Sequence, residues 1–256
     1  MKVVILAGGF GTRISEETHL KPKPMIDIGH KPILWHLMKY YSHWGFNDFI
    51  ILTGYKHDYI KDYFTNFLSK NYDFEVNLEN HSINYISKIN ENWKVKVIFT
   101  GINSMTGGRL LRVKKYLKNE KNFFLTYGDG LSNINLNKLY NFHVKSKSIG
   151  TLTAVFPPER FGVVEIKKNR VISFKEKPSG HGSRINGGFF VFNPKIFDYL
   201  KNDKTILEKT PLENLALSGN LSAFKHDDFW FAMDSLRDKK YLENRWNKNE
   251  APWKIW

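Results

Sequence analysis

A short apolar run at the N-terminus leads directly into glycine-rich sequence. Residues 2–6 are Lys-Val-Val-Ile-Leu, and Gly8, Gly9 and Gly11 follow before Arg13. A short run of branched apolar residues that ends in glycines is typical of a buried strand in a parallel sheet. The glycines let the backbone approach a ligand closely and present several N–H groups to phosphate oxygens. We therefore predict a phosphate-binding loop after the first strand.

This loop matches neither of the two common glycine loops. A Walker loop ends in Gly-Lys-Ser/Thr, whereas Arg13 and Ile14 follow Thr12 here. A dinucleotide fingerprint that starts at Gly9 requires glycine or alanine where Ile14 stands. Arg13 instead adds a guanidinium suited to a triphosphate. The predicted nucleotide contacts in this segment are Leu6, Ala7, Gly8, Gly9, Phe10, Gly11, Thr12 and Arg13.

The rest of the chain alternates strand-like and helix-like segments. Apolar runs at 49–52, 94–100, 123–125 and 151–156 are separated by amphipathic segments at 32–44, 56–68, 108–118 and 135–146. Such alternation predicts an α/β fold with a doubly wound, mostly parallel, Rossmann-like sheet. Two stretches break the pattern, because 72–89 predicts a small β insertion and 162–192 a hairpin followed by a strand. Beyond them we expect helices at 194–201, 205–218 and 235–247, and short strands near 221–225 and 229–232.

The amino-acid composition excludes several classes of protein and indicates the kind of partner. The chain has 256 residues and no cysteine, which excludes disulfides and thiolate catalysis and makes a cytoplasmic location the default. No apolar run approaches the length of a membrane span, and the N-terminal run is too short for a signal peptide. The net charge of +14 favours anionic partners: nucleotides, phosphosugars, nucleic acid or a membrane surface. Because the lysines are scattered, a solvated surface is favoured over a nucleic-acid groove.

A second motif lies shortly after the glycine loop. Pro22 and Pro24 alternate with Lys21 and Lys23, and the two prolines restrict this segment to a stiff extended conformation. Alone, such a segment is more often a surface linker. A lysine held rigidly beside a phosphate loop is suited to stabilising charge on a reacting phosphate, so we predict that Lys23 is catalytic together with Arg13.

The order Gly-Gly-x-Gly-Thr-Arg, then Lys-Pro-Lys-Pro, resembles the sugar-nucleotide pyrophosphorylases. Further motifs resemble the glucose-1-phosphate cytidylyltransferase branch of that family. They are the segments 15–20, 104–109, 127–130, 156–162, 176–178, 185–190, 233–238 and 251–254. The resemblance extends from Met1 to Trp256, although we find no motif to match in 66–100.

The resemblance implies a reaction and a metal. It implies transfer of CMP from CTP to glucose 1-phosphate, with Mg²⁺ held by Asp129 and Asp234. Each aspartate follows an apolar stretch, where open α/β sheets bind ligands, although a turn or capping aspartate is an ordinary alternative for each alone. Sequence does not show whether the two converge. The remaining nucleotide contacts that we expect are Lys23, Ser104, Gly107, Gly108, Arg109 and Gly128.

On the acceptor side, the resemblance implies that Lys177 binds the sugar phosphate and Glu176 a sugar hydroxyl. The full set of expected sugar-phosphate contacts is Gly162, Glu176, Lys177, Asn186 and Gly187. We expect one nucleotidyltransferase domain over 1–256, with a nucleotide half (about 1–130) and a half that binds the sugar phosphate (131–256). Relatives by this resemblance form trimers or hexamers, so a homo-oligomer is expected, without nucleic-acid or membrane partners.

Two alternatives stay open. The first is the same chemistry with another nucleoside triphosphate or another phosphorylated acceptor. The second is a non-catalytic protein that binds nucleotide or RNA, and its only support is the net charge of +14. The presence of Lys23, Asp129 and Asp234 argues against a protein that has lost catalysis.

Overall fold

The computed structural model describes residues 1–158, 163–167, 169–175 and 183–256. Strands of the first half are β1 Lys2–Ala7, β2 Asp27–Ile28, β3 Lys31–Pro32, β4 Asp48–Thr53, β5 Phe74–Asn77, β6 Ser82–Tyr85, β7 Lys94–Phe99, β8 Phe123–Tyr127 and β9 Gly130–Ser132. The later strands are β10 Gly150–Val155, β11 Val163–Lys167, β12 Arg170–Lys175, β13 Ile185–Phe192, β14 Leu221–His226 and β15 Trp230–Ala232.

The helices lie between these strands. They are α1 Ser15–Thr18, α2 Ile33–His43, α3 His57–Thr65, α4 Phe67–Asn71, α5 Thr106–Arg112, α6 Lys114–Leu117, α7 Leu136–Ser146, α8 Thr210–Leu217 and α9 Leu236–Asn247. The described part of the chain also contains three short 3-10 turns, at Thr12–Ile14, Lys23–Met25 and Pro194–Tyr199.

One seven-stranded sheet forms the centre, in the order β14-β10-β13-β8-β1-β4-β7. Strands β8, β1, β4 and β7 are mutually parallel, β10 is parallel to β14, and β13 is antiparallel to both of its neighbours. The predicted α/β fold with a mostly parallel sheet is therefore confirmed. The hairpins β5–β6 and β11–β12 confirm the two predicted departures from the alternation.

Strand β1 shows why both faces of the sheet are covered. Val3 and Ile5 belong to one apolar cluster, which includes α2 and the start of α7, whereas Val4 and Leu6 belong to the other, which includes α5 and α8. Successive side chains of a strand point to opposite faces, so a strand that is apolar at every position needs packing on both. The N-terminal run is therefore buried as predicted.

The C-terminal tail packs on the body of the protein, as its aromatic residues led us to expect. Trp253 is fully buried, its indole stacks on Phe229 at a centroid distance of 5.6 Å, and its Nε1 donates to Nδ1 of His36 at 3.3 Å. Trp256 contacts Trp35 edge to face.

Four helix predictions differ from the structure. The single helix expected at 56–68 is interrupted at Asn66, giving α3 and α4. The segment 194–201 forms only the 3-10 turn Pro194–Tyr199, and the helix expected from 205 begins at Thr210, where Pro211 is tolerated in a first turn. The basic helix expected at 108–118 begins at Thr106 and is interrupted at Val113, giving α5 and α6. Among the described residues, no helix has the length and apolar character needed to cross a membrane.

Candidate active site

The two predicted metal ligands are brought together by a short strand pair. Gly130 of β9 pairs with Ala232 of β15 in an antiparallel ladder. Asp129 immediately precedes β9 and Asp234 lies two residues beyond β15, and the Met233 amide donates to the Asp129 carbonyl oxygen at 2.9 Å. This strand pair lies next to the carboxyl end of β8, because Asp129 is two residues beyond Tyr127, the last residue of β8. The convergence that sequence left undecided is therefore present in the fold.

Lys23 lies between the two carboxylates. Its Nζ is 2.5 Å from Oδ2 of Asp129 and 2.7 Å from Oδ1 of Asp234. The Lys23 side chain is 8% exposed, and the two aspartate side chains are 25% and 21% exposed. These three groups form a partly desolvated ion cluster, in which electrostatic interactions are stronger than in bulk water.

The segment around Lys23 explains why this lysine is fixed. Pro22 is extended, with φ −65° and ψ 147°, and the chain then closes into the 3-10 turn Lys23–Met25, in which the Met25 amide donates to the Pro22 carbonyl at 2.8 Å. Pro24 and Met25 are buried. The neighbouring Lys21 pairs instead with Asp27, away from the cluster. The expected extended conformation is therefore found at Pro22, whereas Lys23 lies in a 3-10 turn, so that part of the prediction is wrong. The segment directs Lys23 to the site and Lys21 elsewhere.

Arg13 completes the cluster from the glycine loop. Its Nη1 is 2.7 Å from Oδ2 of Asp234, while its side chain is 72% exposed. Asp234 is thus shared between a buried ammonium and an exposed guanidinium. The four groups carry two positive and two negative formal charges.

The glycine loop needs glycine at two of its positions for different reasons. Gly11 has φ 68°, a left-handed conformation that L residues with a side chain rarely adopt, and it leads into the turn that carries Arg13. A Cβ on Gly8 would lie 2.3 Å from Nη1 of Arg109, so a side chain there collides with that guanidinium. Gly9 has no neighbour within 4 Å of such a Cβ.

Arg109 is buried beneath this loop and is 5% exposed. Its two terminal nitrogens donate to four main-chain carbonyls and one hydroxyl at 2.7–3.1 Å. The acceptors are the carbonyls of Gly8, Thr53, Gly101 and Ile102, and Oγ1 of Thr100. Burial, followed by the nearby Arg112 charge, lowers the pKa of Arg109. The residue ties three strand-end loops together, and its predicted contact with the nucleotide stays a prediction.

A cavity of about 680 Å³ opens in front of these groups, a size typical of small-molecule sites. Its wall includes the glycine loop from Leu6 to Arg13, together with Lys23, Ser104, Arg109, Gly128, Asp129, Asn186 and Asp234, all predicted site residues. Within the described part of the chain, three further predicted residues are not on this wall: Gly107, Gly108 and Gly187. Gly108 packs against the main chain of Asp203, where a Cβ would lie 2.3 Å from the Asp203 carbonyl oxygen. Gly162, Glu176 and Lys177 lie outside the described residues.

Sequence reasoning missed a hydrogen-bonded network on the wall of the cavity. Glu208 accepts from Oγ1 of Thr106 and from the hydroxyl of Tyr127, both at 2.6 Å. That hydroxyl accepts in turn from Nδ2 of Asn186 at 3.2 Å. Burial, and then the Glu208 charge, raises the pKa of Tyr127, which keeps the phenol protonated as a donor. Glu208 lies in an irregular connection far from any strand end, so no sequence signal pointed to it.

Asp129 and Asp234 are the side chains of the site that could bind a divalent ion. Across the described residues there is no cluster of three or more His, Cys, Asp or Glu side chains suited to a metal. The two carboxylates instead converge on a single cation, the Lys23 ammonium. Mg²⁺ is commonly bound by one or two carboxylates, with water and substrate phosphate oxygens completing its shell. Asp129 and Asp234 fit an ion of this kind.

The chain is similar to known proteins over its whole length. The Nucleotidyl transferase family model matches residues 2–231. The chain is 51% identical to "Glucose-1-phosphate cytidylyltransferase" of Salmonella typhimurium over 256 residues, which covers all of both chains. It is 42% identical to "Probable glucose-1-phosphate cytidylyltransferase" of Bacillus subtilis, again over the whole of both chains. Among solved structures it resembles HddC from Yersinia pseudotuberculosis complexed with GMP-PN, at 27% identity and a TM-score of 0.70, covering 96% of this chain and 99% of that one.

Proposed function

The chain belongs to the nucleotidyl transferase family, and we propose that it transfers CMP from CTP to α-D-glucose 1-phosphate, giving CDP-glucose and pyrophosphate. The observation that carries this proposal is the full-length identity of 51% to a glucose-1-phosphate cytidylyltransferase. The cavity supports it, because cationic groups and paired carboxylates meet beside a glycine loop, as a triphosphate and its metal require.

The reaction is a displacement at phosphorus. A phosphate oxygen of glucose 1-phosphate attacks the α-phosphorus of CTP, the bond from that phosphorus to the bridging oxygen breaks, and pyrophosphate leaves with the bonding electrons. Such a transfer leaves little covalent work to the protein, so catalysis depends on orientation and on stabilisation of charge.

Lys23 and Arg13 supply the positive charge in this proposal. Both are close to the glycine loop, and Lys23 is held by a stiff segment in a nearly buried position. A charge that is already positioned where negative charge develops stabilises the transition state without reorganising at the moment of reaction. We assign Lys23 the larger share, because the Arg13 side chain is 72% exposed and its charge is better screened.

Enzymes of this family generally use a divalent metal, and we propose Mg²⁺ held by Asp129 and Asp234. When bound, it would neutralise phosphate charge and fix the orientation of the triphosphate. The two carboxylates line the cavity together with Gly128 and the glycine loop. In the proposal the phosphates lie beside these groups.

The other parts of the wall hold the nucleoside and the sugar. Ser104 is 7% exposed and lies on the loop before α5, and both Ser104 and Arg109 line the cavity. We propose that these two residues border the base of the nucleotide. Asn186 of β13 also lines the cavity, and we propose that it contacts the sugar. The roles of Gly162, Glu176 and Lys177 rest on the motifs alone.

The same chemistry with a guanine nucleotide is the second candidate, because HddC in the solved complex is bound to GMP-PN at 27% identity to this chain. A panel of the four ribonucleoside triphosphates, each with glucose 1-phosphate or mannose 1-phosphate and Mg²⁺, separates the two. We expect pyrophosphate release with CTP and glucose 1-phosphate, abolished by EDTA. Faster release with GTP would replace the assignment of the nucleotide, and no release with any pair would contradict the proposed reaction.

We also propose that the chain acts as a homo-oligomer. The hairpin β5–β6 and the residues after it expose several apolar side chains, among them Leu78 at 80%, Ile86 at 69% and Ile83 at 56%. Exposed apolar surface of this kind is usually covered by a partner. Light scattering after gel filtration gives the mass, and a monomer at micromolar concentration would contradict this proposal.

A further inference from the structure

A cation of the protein lies at the point where the two proposed metal ligands converge. The Lys23 Nζ is within 2.7 Å of one oxygen from each of Asp129 and Asp234. The second oxygen of Asp234 accepts from Arg13. Three of the four carboxylate oxygens at the proposed metal site are thus engaged by protein cations.

The charges of this cluster also cancel. Two carboxylates face one ammonium and one guanidinium, so these four groups together offer little net attraction to a free divalent ion. An ion that approached the same oxygens would also be repelled by the ammonium at very short range, where screening by solvent is weak. Binding of metal alone therefore requires Lys23 to leave its two partners.

Lys23 has no solvated position to which it can easily move. Its side chain is 8% exposed, and its backbone is fixed between Pro22 and the buried Pro24. If Lys23 left the two carboxylates and no other anion were present, its ammonium would have no partner in a partly desolvated site, which is unfavourable. A triphosphate in the cavity supplies that anion, because its oxygens can accept from Lys23 and from the exposed Arg13.

We propose that Lys23 is a positioning residue for Asp129 and Asp234 in the nucleotide-free enzyme, and that it keeps the divalent ion out until a triphosphate draws the ammonium away. The inference rests on the proposed function for the identity of the site. In the free protein the lysine holds the two carboxylates close to one another, and metal and nucleotide then bind with strong mutual dependence. The coupling is reciprocal, since each ligand changes the affinity of the other by the same factor.

The test measures metal affinity rather than turnover. Mn²⁺ is titrated into the full-length protein without nucleotide, and free Mn²⁺ is followed by electron paramagnetic resonance. We compare wild type with Lys23→Met, which keeps the length of the side chain and removes its charge. Lys21→Met is the matched control, because it removes the neighbouring lysine, whose partner is Asp27.

We expect Lys23→Met to bind one Mn²⁺ about 10- to 100-fold more tightly than wild type, within the usual range of coupling between two ligands. Lys21→Met should bind like wild type. Adding Asp129→Asn to Lys23→Met should remove the gain, which assigns it to this site. Equal Mn²⁺ affinity in wild type and Lys23→Met would overturn the proposal, as would a gain that survives Asp129→Asn.

Folding of each variant is checked by circular dichroism. If Lys23→Met is not folded, Lys23→Gln replaces it, since its amide is neutral and can still donate to the two carboxylates. We then expect a smaller gain in Mn²⁺ affinity, and an unchanged affinity would overturn the proposal. No CTP enters these titrations, so a failure here is distinct from a failure of the proposed reaction, which the nucleotide panel reports.

Discussion

The main-chain amide of Met233 donates a 2.9 Å hydrogen bond to the carbonyl oxygen of Asp129. This bond continues the ladder of β9 and β15 and places Asp234, the next residue, beside Asp129. Two carboxylates from distant parts of the chain therefore reach the same ammonium through a contact made by backbone alone.

Removing either carboxylate should abolish turnover and leave the fold intact. We expect this for Asp129→Asn and for Asp234→Asn, because each removes half of the anionic ligands proposed for the metal. Pyrophosphate release and far-ultraviolet circular dichroism are measured together. Asp58→Asn is the control, since it removes an aspartate of α3 whose side chain is 76% exposed. Turnover close to wild type in either site variant would remove that residue from the metal site.

Replacing Lys23 with alanine should slow the reaction more than replacing Lys21. A preorganised charge of this kind contributes about 2–4 kcal/mol to transition-state stabilisation. We expect a corresponding loss in kcat/KM for Lys23→Ala and little change for Lys21→Ala, whose partner is Asp27. A steady-state assay of pyrophosphate release compares them, and similar losses in the two variants would show that Lys23 has no special role.

Glu208 should act by positioning Tyr127 and Thr106. Glu208→Gln removes the negative charge and replaces one accepting oxygen with an NH₂ group, so one charge-assisted hydrogen bond, worth about 1–3 kcal/mol, should be weakened or reversed in direction. We expect kcat/KM to fall by about tenfold or more, and Tyr127→Phe to show a smaller loss. Glu213→Gln removes an equally charged residue from an exposed position of α8 and is the control. Unchanged kinetics in Glu208→Gln would mean that the network does not support the site.

Alanine should be tolerated at Gly9 and not at Gly8. The new methyl group at Gly8 would overlap the Arg109 guanidinium, whereas at Gly9 it meets no atom within 4 Å. Overpacking of this kind costs about 1–3 kcal/mol. We therefore expect a lower melting temperature for Gly8→Ala and one near wild type for Gly9→Ala. Equal melting temperatures would indicate that Arg109 moves aside without loss.

The free energy of unfolding should fall as the pH is lowered from about 6.5 to about 4. Burial lowers the pKa of His36 and of His143 from 6.5 to about 4 in the folded protein. In this interval the unfolded chain binds protons that the folded protein does not, so acid favours unfolding. Each histidine contributes up to about 3 kcal/mol.

Urea unfolding at pH 7.5, 6 and 5 measures this dependence. His36 is fully buried, and its ring nitrogens lie near the Ile28 carbonyl and the Trp253 indole N–H, which suits the neutral ring. His36→Gln should therefore reduce the slope of stability against pH, whereas His19→Gln, at an exposed position, should not. An identical slope in wild type and His36→Gln would show that other groups cause the acid sensitivity.

Local patterns were sufficient for most of the fold. The apolar run before the glycine loop predicts β1, because a strand that is apolar at every position must be covered on both faces, and the structure covers it so. The alternation of strands and helices likewise predicts the mostly parallel sheet. Helix bounds were less well predicted near Val113 and before Thr210, where no glycine marks a boundary.

The residue types of the candidate site were also present in the sequence, since the glycine loop, Lys23 and the two aspartates each stand in a recognisable motif. Their meeting was decided by tertiary structure, because it depends on the pairing of β9 with β15, two three-residue strands whose contact leaves no periodic signal. The same holds for the five acceptors of Arg109 and for Glu208. Motifs record local chemistry, whereas the partners of a side chain depend on how distant backbone segments pack.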